Sequence, residues 1–320
     1  MSLMRKLFLS GALLVAAAGQ ALAAWPERPI TLIVPWSAGG GTDATARIVA
    51  TLLEKELGQP VNVVNRTGGG GIVGHTEIAN AKPDGYTLGV ITTELSMYHW
   101  IGSAPLSHGD YSLVALYNTD PQGVHVRADG PKTVQDLVAA IKANPGKHKA
   151  SGANQGGAAH LALVGLLNAI GLTPQHAPWV PTDGSAPSLQ LLTSRAIDIV
   201  TTTMPEAQTM VDAGEVRTIA LMRPERDAAY PNVPTIKETL GVEWSLGAWR
   251  GIAGPKGLPE PVLQRLSDAM AKVVEAPDFT SFMNARKFGI EYAGGKDFEA
   301  FLATADERFG AAMKAAGLAK

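Results

Sequence analysis

Two junctions of one kind constrain this chain more than any other feature: an apolar strand pattern breaks into glycines and then into a helical pattern. The first runs Val34-Pro35-Trp36-Ser37-Ala38-Gly39-Gly40-Gly41-Thr42-Asp43, and the second Asn65-Arg66-Thr67-Gly68-Gly69-Gly70-Gly71-Ile72-Val73-Gly74. Glycine lets main-chain N–H groups approach a ligand closely, and each following helix begins with four unpaired donors and a partial positive charge. One such loop reads as a tight turn with glycines at positive φ. Two in one domain, joined by polar strand ends at Thr92-Thr93 and Ser151-Gly152-Ala153-Asn154, predict a cleft that grips a carboxylate.

The beginning of the chain indicates where this happens. Arg5 and Lys6, the apolar run Leu7 to Ala18, and Ala21-Leu22-Ala23 match the three regions of a secretory signal peptide, which predicts a leader over residues 1–23 and a mature chain from Ala24. The apolar run is shorter than the roughly 20 residues a spanning helix needs. The expected location is the periplasm. With no Cys, an exported chain has no disulfide framework, thiolate metal site or cysteine nucleophile, so its cores must be of adequate size. Removing Arg5 and Lys6 takes the formal net charge from −2 to −4, too mild to imply nucleic acid or a membrane surface.

Short Val/Ile/Leu runs alternate with helical patterns along the mature chain, the rhythm of an α/β fold. Strands are expected at Ile30 to Val34, Val61 to Val64 and Tyr86 to Ile91, with a crossover helix from Thr42 to Leu57 closed by Gly58. A second set has a helix over Val134 to Ala143 capped by Thr133, a short strand Lys149 to Ser151 and a helix His160 to Ile170. Strands Ile197 to Thr201 and Thr218 to Met222 follow, and a helical stretch begins near Pro259. Strands Gly123 to Arg127 and Trp249 to Pro255 read as crossings between domains. The expected division is 24–121 with 250–320 as one discontinuous domain and 122–249 as the second, with the ligand between them.

Motifs for catalysis are absent: no phosphate loop, no H-E-x-x-H, no G-x-S-x-G, and seven scattered His without metal spacing. Neither an enzyme, a metal nor a cofactor is expected. Gly69, Gly71 and Gly74, with Glu94 about 20 residues on, fit a dinucleotide fingerprint. Against it, the strand is not the first of its sheet, and four consecutive glycines make accidental matches easy. Arg66 at a strand end reads as pairing with a neighbouring carboxylate, and Asp43 as supporting the helix start rather than acting as an acid. Trp36, Trp179 and Trp249 read as core or cleft-wall residues.

Over nearly the whole mature chain these residues resemble the periplasmic solute-binding proteins of tripartite tricarboxylate transporters, the Bug family. The resemblance rests on Trp25-Pro26-Glu27-Arg28-Pro29-Ile30, Pro35 with Gly39-Gly40-Gly41-Thr42-Asp43, and Gly58-Gln59-Pro60-Val61 leading to Asn65-Arg66. It continues through Pro83-Asp84-Gly85-Tyr86-Thr87-Leu88, His160-Leu161-Ala162, Gly184-Ser185-Ala186-Pro187, Asp198 and Pro231-Asn232-Val233-Pro234-Thr235.

The resemblance implies a two-domain type II periplasmic binding protein, each domain a mostly parallel sheet flanked by helices, with the ligand in the interdomain cleft. It would close on a di- or tricarboxylate or aromatic acid and deliver it to the membrane subunits of a tripartite transporter, as a monomer. One ligand carboxylate would be held by Trp36, Ser37, Gly39, Gly40 and Thr42 of the first loop and Gly70 and Gly71 of the second. The distal end would face Thr92, Thr93, Ser151, Asn154, His160, Thr182 and Thr203. Two departures matter: Thr182-Asp183-Gly184 stands where the family commonly has Tyr-Lys-Gly, and Thr202-Thr203-Met204-Pro205 where it has Asp-Asn-Leu-Pro. A distal pocket without those charges would suit an uncharged or modestly polar group and make an ammonium a poor candidate. An exported enzyme of unrecognised type and a sensory module on the same fold are the alternatives.

Overall fold

The computed structural model describes residues 25–320, so the expected leader lies outside the described residues. Five residues, Ile30–Val34, form β1, and their Ile, Leu and Val side chains are buried because helices cover both faces of the strand. Helix α1 (Gly41–Leu57) crosses to β2 (Val61–Asn65) and ends where Gly58, at φ 71°, returns its N–H to Glu54 O. A tight turn at Gly69–Gly71 opens α2 (Ile72–Ala79), which leads to β3 (Thr87–Thr92) and the short helix α3 (Tyr98–Ile101). Strand β1 lies between β2 and β3, parallel to both.

The long strand β4 (Tyr111–Arg127) then carries the chain from one sheet into another. Its first part pairs antiparallel with β8 (Gly247–Pro255), from Tyr111↔Pro255 to Pro121↔Gly247, and β8 pairs with β3. From Gln122 onward β4 lies instead between β6 (Ile199–Thr203) and β7 (Val216–Leu221). The sequence reading starts this strand only at Gly123, after Asp120-Pro121. The strand in fact runs through Pro121, whose missing N–H falls at the junction of two ladders, where a proline is tolerated.

The second sheet is completed by β5 (Ala150–Ser151), parallel to β6. Around it lie α4 (Val134–Ala143), α5 (Ala158–Ala169), α6 (Ser185–Thr193), α7 (Met204–Asp212) and α8 (Ile236–Leu240). Thr133 caps α4 as expected, accepting from Asp136 N at 3.1 Å. Helices α6 and α7 have no counterpart in the sequence reading. After β8, α9 (Glu260–Glu275), α10 (Pro277–Ala285), the short strand β9 (Ala293–Gly294) and α11 (Gly295–Ala315) return to the first sheet.

Three larger apolar clusters hold this together. One joins α1, α9 and α10 to one face of the first sheet, and another fills the second lobe between its sheet and α4 and α5. A third couples the lobes: Leu161 and Val164 of α5 pack with Trp249 of β8 and with Phe298 and Leu302 of α11. Among the described residues no helix is long and apolar enough to cross a membrane.

Candidate functional site

A cavity of about 60 Å³ lies between the lobes, where β1, β3 and β6 end and helices begin. Its wall includes Gly40 and Gly41 at the start of α1, Ala158 and Ala159 at the start of α5, and Gly184 and Ser185 at the start of α6. None of these three helices has a side-chain cap; their N-cap residues are Gly40, Gly157 and Gly184. Three helix starts therefore turn the positive ends of their dipoles toward one small space; Glu94 Oε1 takes the first donor of α5, Ala158 N, at 3.3 Å, and the starts of α1 and α6 favour an anion.

Of the residues expected to bind ligand, Trp36, Ser37, Gly40, Thr42, Thr92 and Thr93 line this cavity. Gly39 supports them from outside the wall, at φ 84°, with its N–H donated to Asp43 Oδ2 at 3.0 Å. Asp43 also takes two hydrogen bonds from Arg47, at 3.0 and 2.9 Å, and one from Asn65 at 3.0 Å. Burial alone would raise this carboxyl, but Arg47, the Gly39 N–H and Asn65 together hold it below its usual range. It stays ionised and fixes the loop, the supporting role read from the sequence.

The second glycine loop stands behind this wall rather than on it. Residues Gly68 to Gly71 all have positive φ. Tyr98 donates its hydroxyl to Gly70 O at 2.8 Å. Because His75 Nε2 accepts from Thr92 N at 3.2 Å, its proton sits on Nδ1, which donates to Gly71 O at 2.9 Å. Burial lowers the His75 pKa to about 4, so the ring is neutral. A Cβ on Gly71 would lie 2.8 Å from Tyr98 Oη and 3.1 Å from Trp36, and one on Gly70 would lie 2.4 Å from Asn154 Nδ2. The loop thus backs Trp36 and seats Asn154. Gly74 has a packing reason too, since a Cβ there would meet Pro35 Cα and Arg66 O at 2.7 Å.

The remaining expected residues serve the cavity from outside its lining. Ser151 donates to Val180 O at 2.6 Å, and Thr182 and Ser188 share a hydrogen bond of 2.6 Å. His160 accepts from Gly156 N at 3.1 Å and lies 4.9 Å from the Trp179 ring, ordering the turn into α5. Thr203 caps α7 through Glu206, donating its hydroxyl at 2.8 Å.

Three charged wall residues were not foreseen as site residues: Glu94, Glu206 and Arg250. They add charge to a pocket in which the sequence departs from the family by one Lys and one Asp. Arg250, buried on β8, donates from Nε to Thr42 Oγ1 at 3.0 Å, from Nη1 to Asn118 Oδ1 at 2.5 Å and Asp120 Oδ2 at 2.7 Å, and from Nη2 to Glu206 Oε1 at 3.0 Å. Nearly all of its donors are spent inside the protein. Burial would raise the Glu206 carboxyl, but Arg250 and hydrogen bonds from Thr202 and Thr203 hold it below the usual range. Glu94 is in the opposite case: burial pushes it up against the hydrogen bonds from Thr92 and Ala158. A signal for Glu206 existed, because Thr203-x-x-Glu206 is a capping box. Glu94 was noticed only as the acid of the dinucleotide pattern.

The lobes also touch directly across the cleft, with Ser37 N donating to Asp183 O at 3.1 Å. Ser37 Oγ, Gln122 Oε1 and Trp249 Nε1, all on wall residues, are buried without a hydrogen-bond partner in the protein. Buried polar atoms are normally satisfied, so these are free to meet a guest.

Comparison with known proteins agrees with this architecture. The family model described as "Tripartite tricarboxylate transporter family receptor" matches residues 45–318. A protein encoded in the tcbD-tcbE intergenic region of Pseudomonas sp. (strain P51) is 33% identical over 280 residues, covering 86% of this chain and 82% of that protein. Protein BugT of Bordetella pertussis is 31% identical over 260 residues, covering 76% and 75%. Among solved structures, the periplasmic binding protein BugD superposes with a TM-score of 0.87 at 27% identity, covering 92% of this chain and all (100%) of that one. An R. palustris protein solved with adipate gives 0.84 at 26%, covering 92% and 99%. The fold is the two-domain type II periplasmic binding-protein fold, and the chain belongs to the tripartite tricarboxylate transporter family of receptors.

Proposed function

We propose that this protein is an extracytoplasmic solute-binding protein that captures a small organic carboxylate and delivers it, unchanged, to the membrane subunits of a tripartite tricarboxylate transporter. The observation that carries this reading is the convergence of two helix starts without side-chain caps, those of α1 and α6, on one interdomain cavity. The relative solved with adipate and the family match support a carboxylate as ligand.

The lobes are 24–121 with 250–320 and 122–249, and β4 and β8 act as the hinge. Closure brings Glu206 to Arg250 and Ser37 to Asp183, and a ligand shifts the open–closed equilibrium by its preference for the closed form. The protein works in the periplasm as a monomer after loss of residues 1–23. Its role is binding and not catalysis: the wall acids are committed to Arg250, to a helix cap and to a helix start, and the family is one of receptors. A thermal-shift screen of the purified protein against mono-, di- and tricarboxylates, aromatic acids and amino acids tests the proposal. A concentration-dependent rise with one carboxylate group, and recovery of that compound intact after release, is the expected result. Conversion of the compound would sink the reading.

A further inference from the structure

One of the three helix starts is already occupied by the protein itself. Glu94, 7% exposed on the cavity wall, accepts the first N–H of α5, Ala158 N, on Oε1 at 3.3 Å. Its Oε2 accepts Thr92 Oγ1–H at 2.7 Å, and that hydroxyl in turn accepts Trp36 Nε1–H at 3.2 Å. The carboxylate is therefore tied to the first loop, to the end of β3 and to the opposite lobe. It sits where a second anionic group of a ligand would gain most from a helix start.

The charges on the wall point the same way. Arg250 lies between Glu206 and the deeper Asp120, so its positive charge is matched within the protein and Glu94 adds a further negative one. Two ligand carboxylates closed into this space would set one of them against Glu94 in a low dielectric, where like-charge contact is unfavourable. The cavity is small, about 60 Å³, which favours a compact guest.

We infer that Glu94 stands in for the second carboxylate of a dicarboxylate, so that the protein takes a compact monocarboxylate whose far end offers Glu94 a hydrogen-bond donor such as a hydroxyl. The monoanionic end then uses the free starts of α1 and α6, and Glu94 reads the other end. This rests on the carboxylate-binding function proposed above and narrows its ligand class.

Terminal-group exchange on one carbon skeleton isolates the effect. Calorimetric titration of the purified protein with 4-hydroxybutyrate, butyrate and succinate, and with the matching five- and six-carbon ω-hydroxy acids and diacids, ranks a hydroxyl, a methyl and a second carboxylate at the same place. The expected order is hydroxy acid, then simple acid, then diacid, with the hydroxy acid about tenfold or more tighter than the diacid. In Glu94→Gln, which keeps the shape and removes the charge, that ratio should fall about tenfold. Diacids binding as tightly as the hydroxy acids in the wild-type protein, or a ratio unmoved in Glu94→Gln, would overturn the inference while leaving carboxylate capture intact. Should Glu94→Gln fail to fold, the wild-type ranking alone decides. Failure of every acid in the series and in the broader screen would remove both.

Discussion

Arg250 of β8 and Glu206 of α7 meet at 3.0 Å across the two lobes, and the same guanidinium holds Asp120 at 2.7 Å within its own sheet. One cation thus serves the hinge strand and the closing helix at once. Replacing a buried cation between two acids leaves both uncompensated, so Arg250→Met should lower stability by about 3–5 kcal/mol in urea unfolding. Loss of less than about 1 kcal/mol would mean that the triad is not closed in solution.

The pH response of Glu206 has a definite sign. Its folded pKa lies below the ordinary 4.5, so its stabilising contribution is full above that value and is lost as pH falls through the folded value. Glu94 behaves inversely: with its pKa raised, ionisation weighs against the folded protein as pH rises past 4.5. Glu94→Gln should therefore raise the Tm at neutral pH relative to wild type and leave little difference in acid. An equal effect at both ends would contradict the assigned direction.

Three buried histidines set a second pH window. Burial takes His75, His125 and His160 from 6.5 to about 4, so between these values the unfolded chain binds more protons than the folded one. Stability should fall steadily from pH 6.5 toward 4, by up to about 3 kcal/mol per histidine. The His125→Gln variant should flatten this slope in a Tm series, even though it sacrifices the hydrogen bond to Thr218 Oγ1 at 2.9 Å.

Glycine substitutions separate folding from closure. A Cβ on Gly41 would lie 2.6 Å from Glu206 Cγ in the opposite lobe, and Glu206 is locked by Arg250, Thr202 and Thr203. Gly41→Ala should therefore weaken ligand binding about tenfold, and its cost in stability should not exceed that of losing the Arg250–Glu206 contact, about 3–5 kcal/mol, because each lobe keeps its own core. Gly71→Ala, at φ 89° and against Tyr98 and Trp36 of its own lobe, should instead cost about 1–3 kcal/mol of stability. If both variants fold and bind alike, the lobe assignment of these contacts is wrong.

Much of the first lobe was legible because its signals are local. The apolar run Ile30–Val34, the glycines before α1 and the Gly58 stop each dictate structure within a few residues, and the elements form where expected. In the second lobe, Pro205 looks like a breaker, yet it occupies the first turn of α7, where proline needs no N–H partner. That the first loop reaches the interdomain cavity was legible from its glycines. The same chemistry does not distinguish the second loop, which stands behind the wall because the fold places Trp36 and Asn154 against it. Arg250, Asp120 and Glu206 are far apart in the chain, and the pairing of β8 with β4 is what brings the first two together.

The central claim is that the interdomain cavity binds a small carboxylate and that the protein closes around it. Isothermal titration with the best acid from the screen, paired with its thermal shift, tests this most directly. One site per chain, release of the compound unchanged, and stabilisation of about 2.7 kcal/mol at 100 times the dissociation constant are expected. Binding should be about tenfold weaker in Gly41→Ala. Binding that is indifferent to Gly41→Ala, or the absence of any carboxylate that stabilises the fold, would contradict it.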